Sequence, residues 1–252
     1  MLSLSLIFNN IKRELKFNFA GSQLGLLWFL ITPLIQTFIF YYIFEHVLKA
    51  RFPKEVTANI PYAAYLIIGI AFWNGFLQGV SKGSIAILDN RYLIKKTPIP
   101  PYTYVVSSST VGFMYTPIVL LYTIPLLKAE AISIIFKLLP MIFLWYFLCI
   151  GFSLILSSLA VYIRDLPYVI GPIMNFLFYT VPIVYPYSFI PEKIRIFINI
   201  NPFFHMVKGI YLQASGEATL TTLITCFGIS IISLLIGIVT YTKLRQGFLD
   251  VL

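Results

Sequence analysis

The residues that could do acid–base or metal chemistry are few in this chain and do not cluster. His46 and His205 lie apart from any acidic or cysteine partner at a metal-binding spacing, and Cys149 and Cys226 fall in apolar stretches. The phosphate-binding pattern G-x-x-x-x-G-K-[ST] does not occur. We therefore expect no catalytic residue, no metal site and no cofactor bound by this chain.

Aromatic side chains are abundant instead. The chain has 23 Phe, 17 Tyr and 3 Trp, together 17% of its residues. Most are expected in the belts that anchor spans at membrane surfaces, and the others are candidates to line a path. Aromatic faces stack on sugar rings and Tyr hydroxyls bond to sugar hydroxyls, so such a path suits a polyol polymer, although a lipid or apolar drug would fit nearly as well. The predicted path residues are Tyr41, Tyr42, Phe72, Trp73, Phe176 and Tyr179.

The charged residues show which elements must position these side chains. Only 11% of the chain is charged and 59% is hydrophobic, with a mean hydropathy of +0.89. Water-soluble domains carry about 25% charged residues, so this is a membrane protein. About 20 apolar residues cross a bilayer as a helix. Stretches of 25 to 31 residues without charge cover 17–44, 56–81, 97–127, 138–163, 166–191 and 218–242.

The absence of charge inside these stretches argues against ion-coupled carriers and intramembrane enzymes. Ion-coupled carriers usually keep an ionisable residue at membrane depth, and enzymes need titratable groups that converge in a pocket. The residues between the stretches form pieces too short to fold alone, so any water-soluble energy source must be a separate chain. The net charge of +9 flanks apolar spans. It therefore favours anionic lipid, and not nucleic acid, as a partner.

We predict a single all-α membrane domain over 1–252 with six transmembrane helices. Both termini are expected in the cytoplasm, because this orientation places 10 Lys and Arg residues inside and 8 outside. The predicted spans are about 24–44, 58–81, 102–127, 138–163, 167–187 and 218–242.

Residues 1–20 are predicted to form an amphipathic helix at the membrane surface. Its apolar face consists of Phe8, Ile11, Leu15 and Phe19, which recur at spacings of 3 and 4. Arg13 and Lys16 lie on the opposite face, and with Lys12 they would hold anionic lipid. A frayed cytoplasmic tail is the alternative.

The fifth span is predicted to line a pathway. Its Pro172 and Pro182 disfavour a straight helix, and irregular backbone at membrane depth must be buried in protein or line a watery cavity. Pro172, Phe176, Tyr179 and Ile183 would share one face. Arg164 and Asp165 alone separate this span from the fourth; they either pair with each other or contact a partner.

The 188–217 connection is too apolar for an ordinary loop. Its segments 194–200 and 203–212 are each too short to cross a bilayer, so we predict a re-entrant hairpin between the fifth and sixth helices. On the outer face this hairpin would form a gate. The gate residues are Asn201, Pro202, Phe203 and His205.

Glycines recur at a spacing of four in two places. They would allow helices to approach closely, either within one subunit or between two. The residues are Gly21 with Gly25, and Gly75 with Gly79 and Gly83.

Three stretches carry a family resemblance: KRELKFNFAGSQLGLLWFLITPL, RDLPYVIGPIMNFLFYTVPIVYP and NPFFHMVKGIYLQASG. They resemble the membrane subunits of type-2 ATP-binding-cassette exporters, and most of all the permeases that export O-antigen and other lipid-linked polysaccharides. Exporters of teichoic acid and capsule glycan share these stretches. A lipid or drug exporter of the same architecture, and a membrane-embedded transferase, remain as alternatives.

The resemblance implies a homodimer in the bacterial cytoplasmic membrane that carries two copies of a separate ATPase, which uses ATP and Mg. It also implies that lipid-linked glycan is the cargo. A short coupling helix between spans two and three would receive the ATPase. The corresponding residues here are Asp89, Arg91, Tyr92, Lys95 and Lys96.

Overall fold

The computed structural model describes residues 2–18, 21–25, 27–43, 46, 60–127, 130–185 and 187–251. These residues form helices and turns, with no strand among them, as the composition predicts. Short 3-10 turns occupy Tyr187–Phe189 and Arg245–Gly247. The α-helices are α1 (Leu2–Asn18), α2 (Leu27–Tyr42), α3 (Tyr62–Asp89), α4 (Arg91–Lys96), α5 (Pro101–Phe113), α6 (Tyr115–Tyr122), α7 (Ile124–Leu127), α8 (Ala131–Ala160), α9 (Leu166–Tyr179), α10 (Glu192–Ile200), α11 (Pro202–Ser215), α12 (Leu220–Leu244) and α13 (Phe248–Val251).

Four helical segments of the described chain are long and apolar enough to cross a membrane. They match the second, third, fourth and sixth predicted spans: Tyr62–Asp89, Pro101–Leu127, Ala131–Ala160 and Leu220–Gly247. The described part of α2 has 16 residues and α9 has 14. At 1.5 Å per residue they are about 24 and 21 Å long, less than the roughly 30 Å of hydrocarbon. The predicted span start at 58–59 and Phe19 of the predicted α1 face lie outside the described residues.

The helix α9 is shorter than predicted because of a proline. Pro167 lies in its first turn, as expected, but the helix ends at Tyr179 and not near residue 187. Pro182 has no backbone N–H for the next helical hydrogen bond and disfavours helical geometry in the residue before it. Ile183 is consequently not on the helix, and its side chain is buried.

Prolines also divide the third span into three helices. Pro117 cannot donate to the carbonyl of Phe113, where α5 ends, and Pro125 cannot donate to the carbonyl of Leu121, near the end of α6. Each break is bridged by turn hydrogen bonds, such as the 2.9 Å bond from Met114 N to Thr110 O, and the three helices together make one candidate span.

The most buried helix is α3, and glycines let its neighbours approach it. A Cβ on Gly75 would collide with the Thr116 hydroxyl, and one on Gly83 with Ser109 and Ser153. The spacing of four thus serves packing within one subunit. By contrast, Gly21 and Gly25 have φ values of +82° and +52° and form the turn before α2, where a left-handed backbone favours glycine.

A separate apolar cluster joins α4 to the C-terminal segment. Ile94 of α4 is buried with Tyr104, Val161, Tyr241 and Phe248. The Tyr241 hydroxyl accepts a hydrogen bond of 3.2 Å from the Tyr102 backbone N–H. One end of the helix bundle is therefore held together by residues from widely separated parts of the chain.

Candidate functional site

The short helix α4 presents charged residues on its surface. Asn90 separates it from α3, and Ile94 anchors it in the apolar cluster. The Lys96 ammonium bonds to the Tyr92 hydroxyl and lies 4.1 Å from the centroid of that ring. The five residues predicted to couple the chain to an ATPase are all exposed: Asp89, Arg91, Tyr92, Lys95 and Lys96.

Helix α1 places its three basic residues differently from one another. Lys12 and Lys16 are exposed, and the Lys12 ammonium lies 4.5 Å from the centroid of the Phe8 ring. Arg13 turns towards the protein. Its Nη2 donates a 2.8 Å hydrogen bond to Asn90 Oδ1, and its guanidinium lies 5.3 Å from the centroid of the Tyr104 ring.

The face of α1 that packs on the protein is polar, which the sequence analysis missed. The Ser108 hydroxyl donates a 2.7 Å hydrogen bond to Glu14 Oε2, and Lys82 Nζ lies 4.0 Å from Glu14 Oε1. Burial raises the pKa of the Glu14 carboxyl above its ordinary value; the Ser108 hydroxyl and the Lys82 and Arg13 charges oppose that rise. One signal was available: Glu14 is the only acidic residue among the first 44.

Two of the predicted path residues are core residues in this conformation. Phe72 and Trp73 are 0% and 1% exposed and pack against Trp145. A side chain enclosed by its own subunit offers no surface to a passing ligand. The Trp73 ring also lies 5.5 Å, centroid to centroid, from that of Phe203, a predicted gate residue that is itself buried.

Other predicted path residues are on the surface. Phe176 and Tyr179 are 71% and 68% exposed on α9, and Pro172 is exposed on the same face. On α2, Tyr42 is exposed and Tyr41 is half-buried. An aromatic surface is therefore present on α9 and α2, but Phe72 and Trp73 of α3 are not part of it.

The predicted gate segment consists of two helices that meet at Asn201. The Asn201 Oδ1 accepts a 2.9 Å hydrogen bond from the Phe203 backbone N–H and so caps α11, with Pro202 in the first turn. Its Nδ2 donates to Thr180 Oγ1 at 3.2 Å, just beyond α9. His205 Nε2 lies 2.7 Å from the Asn199 carbonyl oxygen. The end of α9 and the predicted gate segment are thus connected through Asn201.

An apolar cavity of about 640 Å³ lies where these elements meet. Its lining residues include Tyr179, Tyr185, Phe189, Phe197 and Asn201. Aromatic walls with a few amide and hydroxyl groups suit ring-stacking ligands more than ions. In the part of the chain that the structure describes, no group of three His, Cys, Asp or Glu residues could hold a metal ion.

The chain matches a known family and has full-length relatives. Residues 5–213 match the family described as ABC-2 type transporter. Two proteins of Klebsiella pneumoniae named O-antigen export system permease protein RfbA are 25% and 26% identical, each over 95% of this chain and 92% of the relative. A protein of the same name from Myxococcus xanthus is 26% identical over 75% of this chain and 71% of its own length. With its apolar helices and exposed aromatic surface, the chain thus belongs to the ABC-2 type transporter family of membrane permeases.

Proposed function

We propose that this chain is the membrane subunit of an ATP-driven exporter that moves lipid-linked polysaccharide of the O-antigen type across the bacterial cytoplasmic membrane. The names of its relatives support the cargo class. The observation that carries the proposal is the exposed aromatic face of α9 beside the gate segment, because stacking on rings holds sugars without fixing them by charge.

In the proposed assembly, two copies form a homodimer and the pore lies between them. The least covered apolar helices are α2 and α9, whose exposed residues include Leu34, Phe38, Val169 and Ile173. Burying these faces against a second copy would shield them from lipid on one side and bring the aromatic faces of both copies towards the pore. The re-entrant arrangement of α10 and α11 at the outer end would then form the gate.

The energy source in this proposal is a separate pair of ATP-binding-cassette ATPases, which bind ATP and Mg. They contact α4, whose exposed cations would meet acidic residues of the ATPase. Both termini lie in the cytoplasm, and α1 lies at the membrane surface with anionic lipid near Lys12 and Lys16. Closure of the ATPases would move α4, and Asn90 would pass the movement to α3 and α1.

Co-purification and ATP hydrolysis test the proposed function. The full chain is expressed with a candidate ABC ATPase from the same organism, and ATP hydrolysis is measured in proteoliposomes with and without lipid-linked glycan. We expect a stable complex whose hydrolysis rate rises several-fold with the glycan. If teichoic acid, capsule glycan, a free lipid or a drug raises the rate and O-antigen glycan does not, the architecture stands and the cargo is wrong.

A further inference from the structure

A polar cavity of about 610 Å³ lies between α1, α3 and α5. This volume is within the range of small-molecule sites. Its lining carries charges of both signs: Arg13 and Lys82, and Glu14 and Asp89. No part of the proposed transport path uses these residues together.

Two buried polar side chains of the cavity wall lack hydrogen-bond partners. Asn10 and Tyr104 both line the cavity and are 8% and 1% exposed. Within the described residues, Asn10 Nδ2 and the Tyr104 hydroxyl have no partner. Burying an unsatisfied donor costs about 1–3 kcal/mol, so such groups beside a cavity favour the binding of a ligand that can bond to them.

The charges in the cavity are arranged for a ligand that is itself a zwitterion. Arg13 uses one nitrogen on Asn90, which leaves the rest of the guanidinium fork for a second acceptor. Glu14 is already bonded to Ser108 and near Lys82. Asp89, exposed at the edge, makes no ion pair among the described residues. An anion beside Arg13 and a cation beside Asp89 would satisfy both.

The cavity also borders a surface suited to lipid. On α1, Leu4, Phe8 and Phe17 are 72%, 57% and 72% exposed, and Phe17 lines the cavity. Large exposed apolar side chains on an amphipathic helix enter the boundary between headgroups and acyl chains. If α1 lies there, the cavity opens at the level of the lipid headgroups.

We propose that this cavity binds the headgroup of a zwitterionic phospholipid, a phosphate diester joined to a primary ammonium. The phosphate accepts hydrogen bonds from Arg13 and the Asn10 amide, and the ammonium bonds to Asp89. The proposal rests on the membrane-surface location of α1 but not on the cargo or the ATPase. If this site is disproved, the proposed exporter function is therefore unaffected. If the exporter function is disproved, the proposed lipid site is unaffected.

Native mass spectrometry of the purified full chain tests the site. The probes are phosphatidylethanolamine, phosphatidylglycerol and inorganic phosphate, added to delipidated protein. We expect retained phosphatidylethanolamine, reduced about tenfold by Arg13→Gln because a charge-assisted hydrogen bond is lost. Lys12→Gln is the matched control, since it removes the same charge from the exposed face of the same helix. Equal losses in the two variants would overturn the proposal.

The ammonium end and the source of the phosphate have separate tests. Asp89→Asn should lower the retention of phosphatidylethanolamine several-fold and leave the retention of phosphatidylglycerol unchanged. If the unmodified chain binds both lipids equally, the zwitterion assignment is wrong. If inorganic phosphate displaces both lipids completely at millimolar concentration, the site binds free phosphate and the lipid assignment is wrong.

A second substitution separates a binding role from a structural one. Asn10→Leu keeps the side-chain size and removes the unpartnered amide. We expect it to lower phosphatidylethanolamine retention several-fold. If Asn10 were only an unsatisfied core group, the same substitution would raise the melting temperature and leave lipid retention unchanged, and this result would contradict the proposal. Arg13→Lys keeps the charge of α1. It is the control for a loss of lipid retention that is caused by detachment of the helix and not by loss of the binding group.

Discussion

Arg13 of α1 donates a 2.8 Å hydrogen bond to Asn90, which lies 77 positions further along the chain between α3 and α4. The other half of the same amide, Asn90 Nδ2, donates to the Ala86 carbonyl oxygen at 2.8 Å and closes the last turn of α3. One side chain therefore fixes the end of a core helix and holds the N-terminal helix. A displacement of α4 must move Asn90, and through it Arg13.

A double-mutant cycle measures how strongly Arg13 and Asn90 are coupled. We expect Arg13→Ala and Asn90→Ala to show an interaction energy of about 1–3 kcal/mol, as for a partly buried hydrogen bond to a charged group. The measurement is denaturant unfolding in detergent for both single variants and the double variant. Lys16→Ala, on the exposed face of α1, is the control. Its effect on the free energy of unfolding should add to that of Asn90→Ala, with no interaction energy between the two. Strict additivity for Arg13 and Asn90 would show that the bond does not join the helices.

Charge reversal on α4 should uncouple ATP hydrolysis from glycan export. Arg91→Glu, Lys95→Glu and Lys96→Glu change exposed residues, so the melting temperature should stay within about 2 °C while transport is lost. The assay compares ATP hydrolysis with glycan export in proteoliposomes. Lys137→Glu is the control: this residue is also exposed, and it lies 23 residues, about 35 Å, along α8 from the end near α4. Normal export in the triple variant would remove α4 from the ATPase contact.

Exposed and buried aromatic residues should respond differently to truncation. Tyr179→Ala and Phe176→Ala should lower export several-fold at unchanged stability, because their rings are on the surface of the subunit. Trp73→Ala should instead destabilise the protein by about 3–5 kcal/mol, since it removes a buried ring. Melting temperature and export, measured on the same preparations, distinguish the two classes. Wild-type export in both α9 variants would mean that this face does not touch the glycan.

Two helical glycines give a matched pair for the packing of α3. A Cβ on Gly112 would lie 2.5 Å from the Gln78 carbonyl oxygen and 2.6 Å from the Gly79 Cα, which are backbone atoms that cannot rotate away. Gly112→Ala should therefore destabilise the protein by about 1–3 kcal/mol. Gly228 of α12 has open space around its Cβ position, so Gly228→Ala should stabilise it by up to about 1 kcal/mol. Unfolding free energies that do not differ between the variants would be inconsistent with close contact of α3 and α5.

The pH dependence of stability should report the buried carboxyl of Glu14. Its pKa is raised in the folded protein, so ionisation disfavours folding at neutral pH, and the cost disappears as both states become protonated at acidic pH. Glu14→Gln keeps an acceptor for Ser108. We expect it to raise the melting temperature at pH 7.5, with a gain that shrinks towards zero below the ordinary carboxyl pKa of about 4.3. A gain that is independent of pH would exclude this explanation.

Sequence reasoning located most helices because charge and hydropathy alone determine which segments can leave water. The break at Asn201 was also predictable, since Asn followed by Pro is typical of a helix start. The inward face of α1 was not. Periodicity distinguishes an apolar face of a helix from a polar one. The rule that the apolar face packs inward fails here, because the polar face packs on Ser108 and Asn90, whereas Leu4 and Phe8 are exposed.

The path residues show a second limit of the sequence. Trp73 and Tyr179 are equally aromatic and lie in equally apolar stretches, and only the arrangement of helices determines that one is enclosed and the other exposed. Likewise, glycines at a spacing of four are compatible with contacts inside or between subunits. The collisions that Cβ atoms on Gly75 and Gly83 would cause place this spacing inside the subunit.

The burial of Phe248 has a consequence for biogenesis. This ring, 1% exposed, packs on Tyr162 and Tyr241 in the cluster that anchors Ile94 of α4. During synthesis from the N-terminus, α4 leaves the ribosome about 150 residues before that ring does. The surface formed by α4 therefore acquires its final support only after Phe248 has been synthesised, so a partner that requires this surface in its native form will bind after that point and not to a shorter nascent chain.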